Sequence, residues 1–228
     1  MAFSAKYSFP RVLAALVILA SIPSIYFAFR WALADISAYP VRYSIERWES
    51  QRNPVSLAKI EKAEADIDVA LSWNDNNAEY YELKARILFY RAVQTESDDY
   101  LQYIRQALAL HNTALLLRPN WPYSWANKSL MKAYLGEIDD DFSEAIEQAA
   151  KTGPWELSAN LAVLEAGLLG WDQLTPELEA LVLAATSRAS EHGSNAVRVL
   201  LDRYEFRSFI CSLLEPSSHQ KKMCKETL

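Results

Sequence analysis

One spacing constrains this chain more than any other. Pro119 and Pro154 stand 35 residues apart, and Trp121 and Trp155 stand 34 apart. A period of that length is the length of a helix–turn–helix unit, and each proline marks where one helix must stop and another can begin. From Arg118 to Glu156 the chain reads Pro-Asn-Trp-Pro, two helical segments, then Gly153-Pro154-Trp155-Glu156. A chain repeating on this scale folds as helical hairpins, each covering the apolar face of the next.

Composition agrees with an all-α class. Only five glycines occur, all at or after Gly136, and β-branched residues rarely alternate with polar ones. A β-rich fold needs tight turns and period-two runs, which are missing. Hydrophobic residues make up 51% of the 228, ample for a core. Formal net charge is −6 with acids and bases mixed, and Lys221-Lys222 is too short to form a basic stripe, so nucleic acid is not an expected partner.

The chain begins with a different kind of signal. Val12 to Phe29 carries no formal charge, with Lys6 and Arg11 before it and Arg30 after it. As a helix it rises about 27 Å, close to the hydrocarbon thickness of a bilayer, and Trp31 and Leu33 extend it if Arg30 snorkels. Pro23 is tolerated in lipid where Ser21 and Ser24 help satisfy the backbone. Membrane contact is therefore expected through residues 12–33, with Tyr26, Trp31 and Tyr39 at the outer interface. A cleaved signal peptide is the competing reading, with Ala32-Leu33-Ala34 as its small-residue site. Against it, the apolar region exceeds the usual signal core and Arg30-Trp31 lies inside the cleavage region. Lys6 and Arg11 favour an N-in, C-out orientation, although Arg30, Arg42, Arg47 and Arg52 follow the span. The large domain is then expected in the periplasm, at a bacterial inner membrane.

Ile36 to Gln51, interrupted by Pro40, reads as a short interfacial helix and connector. Asn53-Pro54 begins the soluble part, with Asn as cap and Pro in the first turn. Leu57, Ile60, Ala63, Ile67, Ala70 and Leu71 recur at three- and four-residue steps, which predicts an amphipathic helix. Asn74-Asp75-Asn76-Asn77 is a stop and restart, and Ser97-Asp98-Asp99 caps a helix ending at Arg118-Pro119. The expected divisions are 1–34 (tail and anchor), 35–53 (linker), 54–215 (helical domain) and 216–228 (mobile tail).

Three predicted helices share an aromatic followed by positions four, seven and eleven residues later. They read Tyr81, Ala85, Leu88, Ala92; Trp125, Ser129, Lys132, Gly136; and Trp155, Ala159, Ala162, Ala166. These steps keep one face, whose small residues admit a second helix while the aromatic closes the end. The following helices carry Ala107, His111, Ala114, Pro119 and Phe142, Ile146, Ala149, Pro154 at matching offsets. These sets resemble the tetratricopeptide (TPR) repeat over roughly residues 76–170. Lys132, Phe142 and His111 depart from its pattern, and the linker between Ala92 and Ala107 is about ten residues longer than its norm. The resemblance implies a TPR-like α-solenoid behind a transmembrane helix. Thr175-Pro176-Glu177 opens a further helix, which Gly193 stops and Ser194-Asn195 restarts, and these two helices are expected to cap the stack.

The phrase Leu116-Leu117-Arg118-Pro119-Asn120-Trp121-Pro122-Tyr123-Ser124-Trp125-Ala126 is distinctive, as are Gly136-Glu137 and Gly153-Pro154-Trp155-Glu156. With the single N-terminal anchor, they resemble the VpsP-type polysaccharide biosynthesis proteins. That resemblance implies a non-catalytic accessory role in exopolysaccharide synthesis or export, with protein components of the same complex as partners.

Candidate sites are few. His111, His192 and His219 show no metal-ligand spacing. Glu137, Asp139, Asp140, Asp141 and Glu144 read as a turn and a helix start rather than a cation site, since the glycine and terminal glutamate of an EF-hand are missing. No glycine-rich phosphate loop or nucleophile elbow occurs, so neither a metal, a cofactor nor a catalytic residue is expected. Trp121 and Tyr123 are candidates for partner contact, because aromatic rings bind sugar faces and peptide anchors. Glu82 and Arg86, with Lys84 and Arg91, are candidates for lining a concave groove. The rival reading is a glycan hydrolase using Glu156 or Glu165 as an acid across a cleft. Cys211 and Cys224 close a small loop if they face an oxidising compartment, and otherwise remain thiols.

Overall fold

The computed structural model describes residues 5–50, 54–95, 99–215 and 218–224. Its helices are α1 (Ala5–Ser50), α2 (Leu57–Trp73), α3 (Ala78–Val93), α4 (Asp99–Leu117) and α5 (Pro122–Tyr134). Then come α6 (Asp140–Thr152), α7 (Leu157–Gly170), a 3₁₀ turn at Trp171–Gln173, α8 (Pro176–Arg203), α9 (Arg207–Leu213) and α10 (Ser218–Cys224). Among the described residues there is no strand. Asn53, Ser97 and Asp98, expected as turn and cap residues, lie outside the described residues. The second helix starts one turn after Pro54, with Ser56 at its N-cap position.

Consecutive helices pair as hairpins, α1 with α2, α3 with α4, α5 with α6 and α7 with α8. Turns within hairpins lie at one edge of the stack. Turns between hairpins lie at the other, since each helix reverses the last. The helix α3 joins two cores because it is apolar on two sides. Ala85, Leu88 and Ala92 face α4 and α5, while Tyr80, Leu83 and Ile87 meet α1 and α2.

The first helix differs from the sequence reading. Pro40 does not interrupt it, and the expected connector is the continuous C-terminal half of α1. Ala34, Ala38, Val41, Ile45 and Trp48, at steps of four, three, four and three, are buried against α2 and α3. Full burial of a side chain such as Ile45 contributes about 1.5–3 kcal/mol, and several together outweigh one lost hydrogen bond. The carbonyl that Pro40 leaves without its helical donor belongs to Ile36, which is exposed. Arg42 adds a polar clamp: its guanidinium meets Glu79 of α3 at 2.5 Å and Asp35 at 2.7 Å. In the apolar half, Ser21 donates to the Val17 carbonyl and Ser24 to the Ala20 carbonyl, so neither takes the place of the donor that Pro23 removes from the Leu19 carbonyl.

The repeat is real, but one of the two spacings is not its period. Tyr81 and Trp125 are the fifth residues from their N-cap positions, counting the cap, and each donates to the carbonyl six residues back. Tyr81 Oη reaches Asp75 at 3.0 Å, and Trp125 Nε1 reaches Pro119 at 2.7 Å. In α7 the same position is Asn160, whose Nδ2 donates to Pro154 O at 3.0 Å. Trp155, expected to close that end, is instead 74% exposed. The structural period is therefore 35, and the third set reads Asn160, Leu164, Gly167, Trp171, all buried.

Other turns follow local rules. Gly136 caps α5 at φ 71°, with Glu137 N–H reaching Lys132 O at 2.9 Å, a Schellman closure. The Lys132 ammonium sits 3.0 Å from Asp139 and 3.3 Å from Glu137, so a cation from α5 neutralises the acidic turn. Asp139 accepts from Phe142 N–H, the N-cap role expected of the cluster. Gly193 is non-helical, at φ −141° and ψ 41°, and divides α8 into two helical segments, the stop and restart expected from the sequence, with Ser194–Arg203 turned to a new direction. The C-terminal segment is not a free tail: α10 packs on α8, Met223 is buried, and Cys211 and Cys224 form a disulfide.

Two substitutions test this packing. A Cβ at Gly167 would meet Val182 Cγ2 at 2.5 Å, so Gly167→Ala is expected to lower stability by about 1–3 kcal/mol in urea denaturation. Glu205 ends α8 at φ 61°, with Phe206 N–H bonded to Leu201 O at 2.9 Å. Left-handed backbone costs a non-glycine residue about 1–2 kcal/mol, so Glu205→Gly is expected to stabilise by about 0.5–1 kcal/mol in the same measurement.

Candidate binding groove

The first helices of successive hairpins face inward, and α3, α5 and α7 line a concave groove of about 1140 Å³. The second half of α8 forms its far wall, carried there by the kink at Gly193. Phe89, Leu130, Leu161 and Val199 give it an apolar floor, and Val199 is 46% exposed. Around that floor stand Glu82, Glu156 and Glu165 against Arg86 and Arg203.

Three of the four residues named from sequence, Glu82, Arg86 and Tyr123, line the groove, and Trp121 stands beside it, in contact with Glu82 and Tyr123. Glu82 and Arg86 sit one turn apart on α3, with 3.6 Å between guanidinium and carboxylate. Trp121 caps α5 and donates from Nε1 to Glu82 Oε2 at 3.3 Å, joining two hairpins. Its ring lies 5.1 Å from the Tyr123 ring, edge to face, and Arg118 covers it at 3.6 Å. Both aromatics are half-buried. Tyr123 Oη donates to Glu156 of the next hairpin, and burial together with that carboxylate pushes its pKa up to about 12. Lys84 and Arg91, the other two candidates on α3, turn away and pair with Asp68 and Glu64 of α2, at 2.6 and 2.8 Å.

The structure adds Tyr134 and Tyr204, which the sequence did not single out, around Glu165, which the sequence offered only for the rival hydrolase. Glu165 Oε1 accepts from Tyr134 Oη at 2.8 Å and Tyr204 Oη at 2.7 Å, with Arg203 at 3.5 Å. Burial, then the negative charge of Glu165, raises both phenols, Tyr204 to about 12, so both keep their protons and donate. This cluster ties α5, α7 and α8 at the end of the groove. His111, read as a packing residue, is 1% exposed on α4 and borders the groove. Its Nδ1 has no hydrogen-bond partner among the described residues. Burial and then the Arg86 charge lower its pKa to about 3, so it is neutral in the fold. No group of three or more His, Cys, Asp or Glu suited to a metal occurs among the described residues.

Comparison with solved structures recognises this arrangement. The chain is similar to the crystal structure of a thermophilic TPR protein from Thermus thermophilus, with a TM-score of 0.51 and 18% identity. The similarity covers 78% of this chain and 97% of the other. The fold is TPR-like. Neither a family model nor a curated protein matches the sequence. The TPR-like stack explains why the groove lies where it does: the first helix of each hairpin faces inward, and the second covers the outside.

The buried histidine makes stability depend on pH. With its folded pKa lowered to about 3 and an unfolded value near 6.5, the unfolded chain binds the extra proton first. Stability from this group is complete above about pH 6.5 and falls as pH drops, by up to about 1.4 kcal/mol per unit. Urea denaturation at pH 7 and pH 5 is expected to show a smaller loss for His111→Gln than for the parent.

Proposed function

We propose that this protein is a membrane-anchored TPR-like scaffold that binds protein partners in its concave groove. The groove carries this reading: three hairpins present an apolar floor ringed by both signs of charge, suited to an extended or helical segment with one apolar face. Its aromatic and arginine residues are the types that anchor peptides.

Anchoring is supported by α1. It is the one described helix long and apolar enough to cross a membrane, and its apolar window is unburied by the rest of the chain. The Cys211–Cys224 disulfide favours an oxidising compartment for the helical domain, consistent with the N-in orientation and a periplasmic location. The polysaccharide setting rests on the resemblance of residues 116–126, 136–137 and 153–156 to the VpsP-type proteins. On that reading the protein is an accessory of exopolysaccharide synthesis or export at the bacterial inner membrane, and its partners are other components of that machine.

A hydrolase has less support. Glu156 and Glu165 do border the same groove, as a two-carboxylate enzyme needs. Yet each carboxylate is already engaged as a tie between helices, Glu156 by the Tyr123 hydroxyl and Glu165 by those of Tyr134 and Tyr204. That structural engagement supports the non-enzymatic reading.

Photo-crosslinking in cells tests the proposal. A crosslinker at Tyr123 is expected to capture a component of the polysaccharide machinery, while one at the outward-facing Gln106 does not. Tyr123→Ala is expected to weaken the interaction about tenfold, as removal of an anchor residue does. No protein adduct from Tyr123 in cells making polysaccharide would sink the scaffold reading.

A further inference from the structure

The two edges of the stack differ in chemistry. The described turns within hairpins carry Glu137, Asp139, Asp140 and Asp141 between α5 and α6, and Asp172 and Glu177 between α7 and α8. The turns between hairpins carry Trp73, Leu116, Leu117 and Trp155, with Arg118 and Lys151 balanced by Asp75 and Glu156. Leu116 is 84% exposed and Trp155 74%, with Trp73 and Leu117 at 37% and 39%. Isolated exposed apolar side chains are ordinary, and Leu57, Val93 and Leu101 are exposed at the opposite edge, but the two most exposed outside α1, Leu116 and Trp155, both fall on this one.

That edge is also where the apolar half of α1 leaves the domain. Since α1 runs antiparallel to α2, its N-terminal half emerges beside the turn between α2 and α3. Arg30, the first charge after the apolar run, donates to Ser72 O at 3.4 Å in the last turn of α2. Phe27, Trp31 and Trp73 border one small cleft at this junction. The helix continues into the domain without a linker, and five buried side chains fix its direction. The adjoining turn between α6 and α7 packs on the start of α5, where a Cβ at Gly153 would meet Pro122 Cβ at 2.3 Å. The three turns thus form a continuous rim beside the end of the span.

We propose that this rim is a membrane-docking edge, resting on the bilayer that holds α1, with Leu116 and Trp155 in its interfacial layer. The proposal depends on the membrane reading of α1. Tryptophans suit the headgroup region, and Arg118 and Lys151 suit anionic phospholipid, while the acidic opposite edge is turned away from it. The occupant of the rim is therefore lipid, and the domain lies against the membrane surface.

Depth-dependent quenching decides this. The full chain, with its disulfide intact, is reconstituted in vesicles of phosphatidylcholine and phosphatidylglycerol at a three-to-one ratio. An environment-sensitive fluorophore is placed singly through Leu116→Cys, Trp155→Cys, Asp140→Cys or Leu19→Cys, exposed positions whose replacement leaves the core intact. Nitroxide-labelled lipids are expected to quench the probes at positions 116 and 155 several-fold more than the probe at 140. If those two probes match the one at 140 while position 19 is quenched, α1 is inserted and the docking proposal is wrong. If position 19 is itself unquenched, the membrane reading fails and the proposal falls with it.

Discussion

The burial of one face of α1 against α2 and α3 is the contact on which the rest depends. Ala34, Ala38, Val41, Ile45 and Trp48 make the second half of an apolar helix the first layer of the solenoid. Without that layer, Ile60, Ile67, Tyr80 and Ile87 would face water on one side. Trp48 also meets the Tyr90 ring edge to face at 5.1 Å, and Tyr90 borders the groove, so α1 and the groove share a core. A flexible linker in place of the second half of α1 would separate them mechanically. The polar clamp of Arg42 on Asp35 and Glu79 adds orientation more than energy, because these groups are partly solvated.

Much of this architecture was legible in the sequence because hairpins announce themselves locally. Asn77, Asp139 and Thr175 cap helices, and Pro122 and Pro176 sit in first turns, all through short-range chemistry. The failures come from long-range packing. Pro40 looked like a break because an isolated helix would break there, and only burial by α2 and α3 reverses that balance. Trp155 looked like the partner of Trp121 because tryptophan is rare and the interval is close to a repeat. Its hydrogen-bonding role belongs to Asn160, which an aromatic pattern does not detect. Lys132 departs from an aromatic pattern for a related reason, since its ammonium closes an acidic turn that the repeat pattern does not encode.

The groove was legible in part. Glu82 and Arg86 stand on the inward side of an amphipathic α3, and Trp121 and Tyr123 open α5, so register and capping alone bring them to one face. Their mutual contacts are not local: Trp121 reaches Glu82 across a hairpin, and Tyr123 reaches Glu156 across another. The Glu165, Tyr134 and Tyr204 cluster lay beyond pattern reading, because Gly193 must first bend α8 to bring Tyr204 to α5. His111 was read correctly as a packing residue, but its position beside the groove depends on the α3–α4 interface.

Anchor and groove together constrain how a partner can approach. The helices lining the groove run in the same sense as α1, so on the membrane-anchored reading they stand roughly along the bilayer normal. A groove that crosses such helices runs roughly parallel to the membrane surface. A segment lying in it would extend along the bilayer rather than pointing away from it, as the membrane-proximal stretch of another anchored protein does. On that reading the continuous helix at the junction keeps the orientation fixed, and two chains held in one membrane would meet at a raised effective concentration. On the same reading, modest contacts along the groove are sufficient for association, because the bilayer supplies proximity.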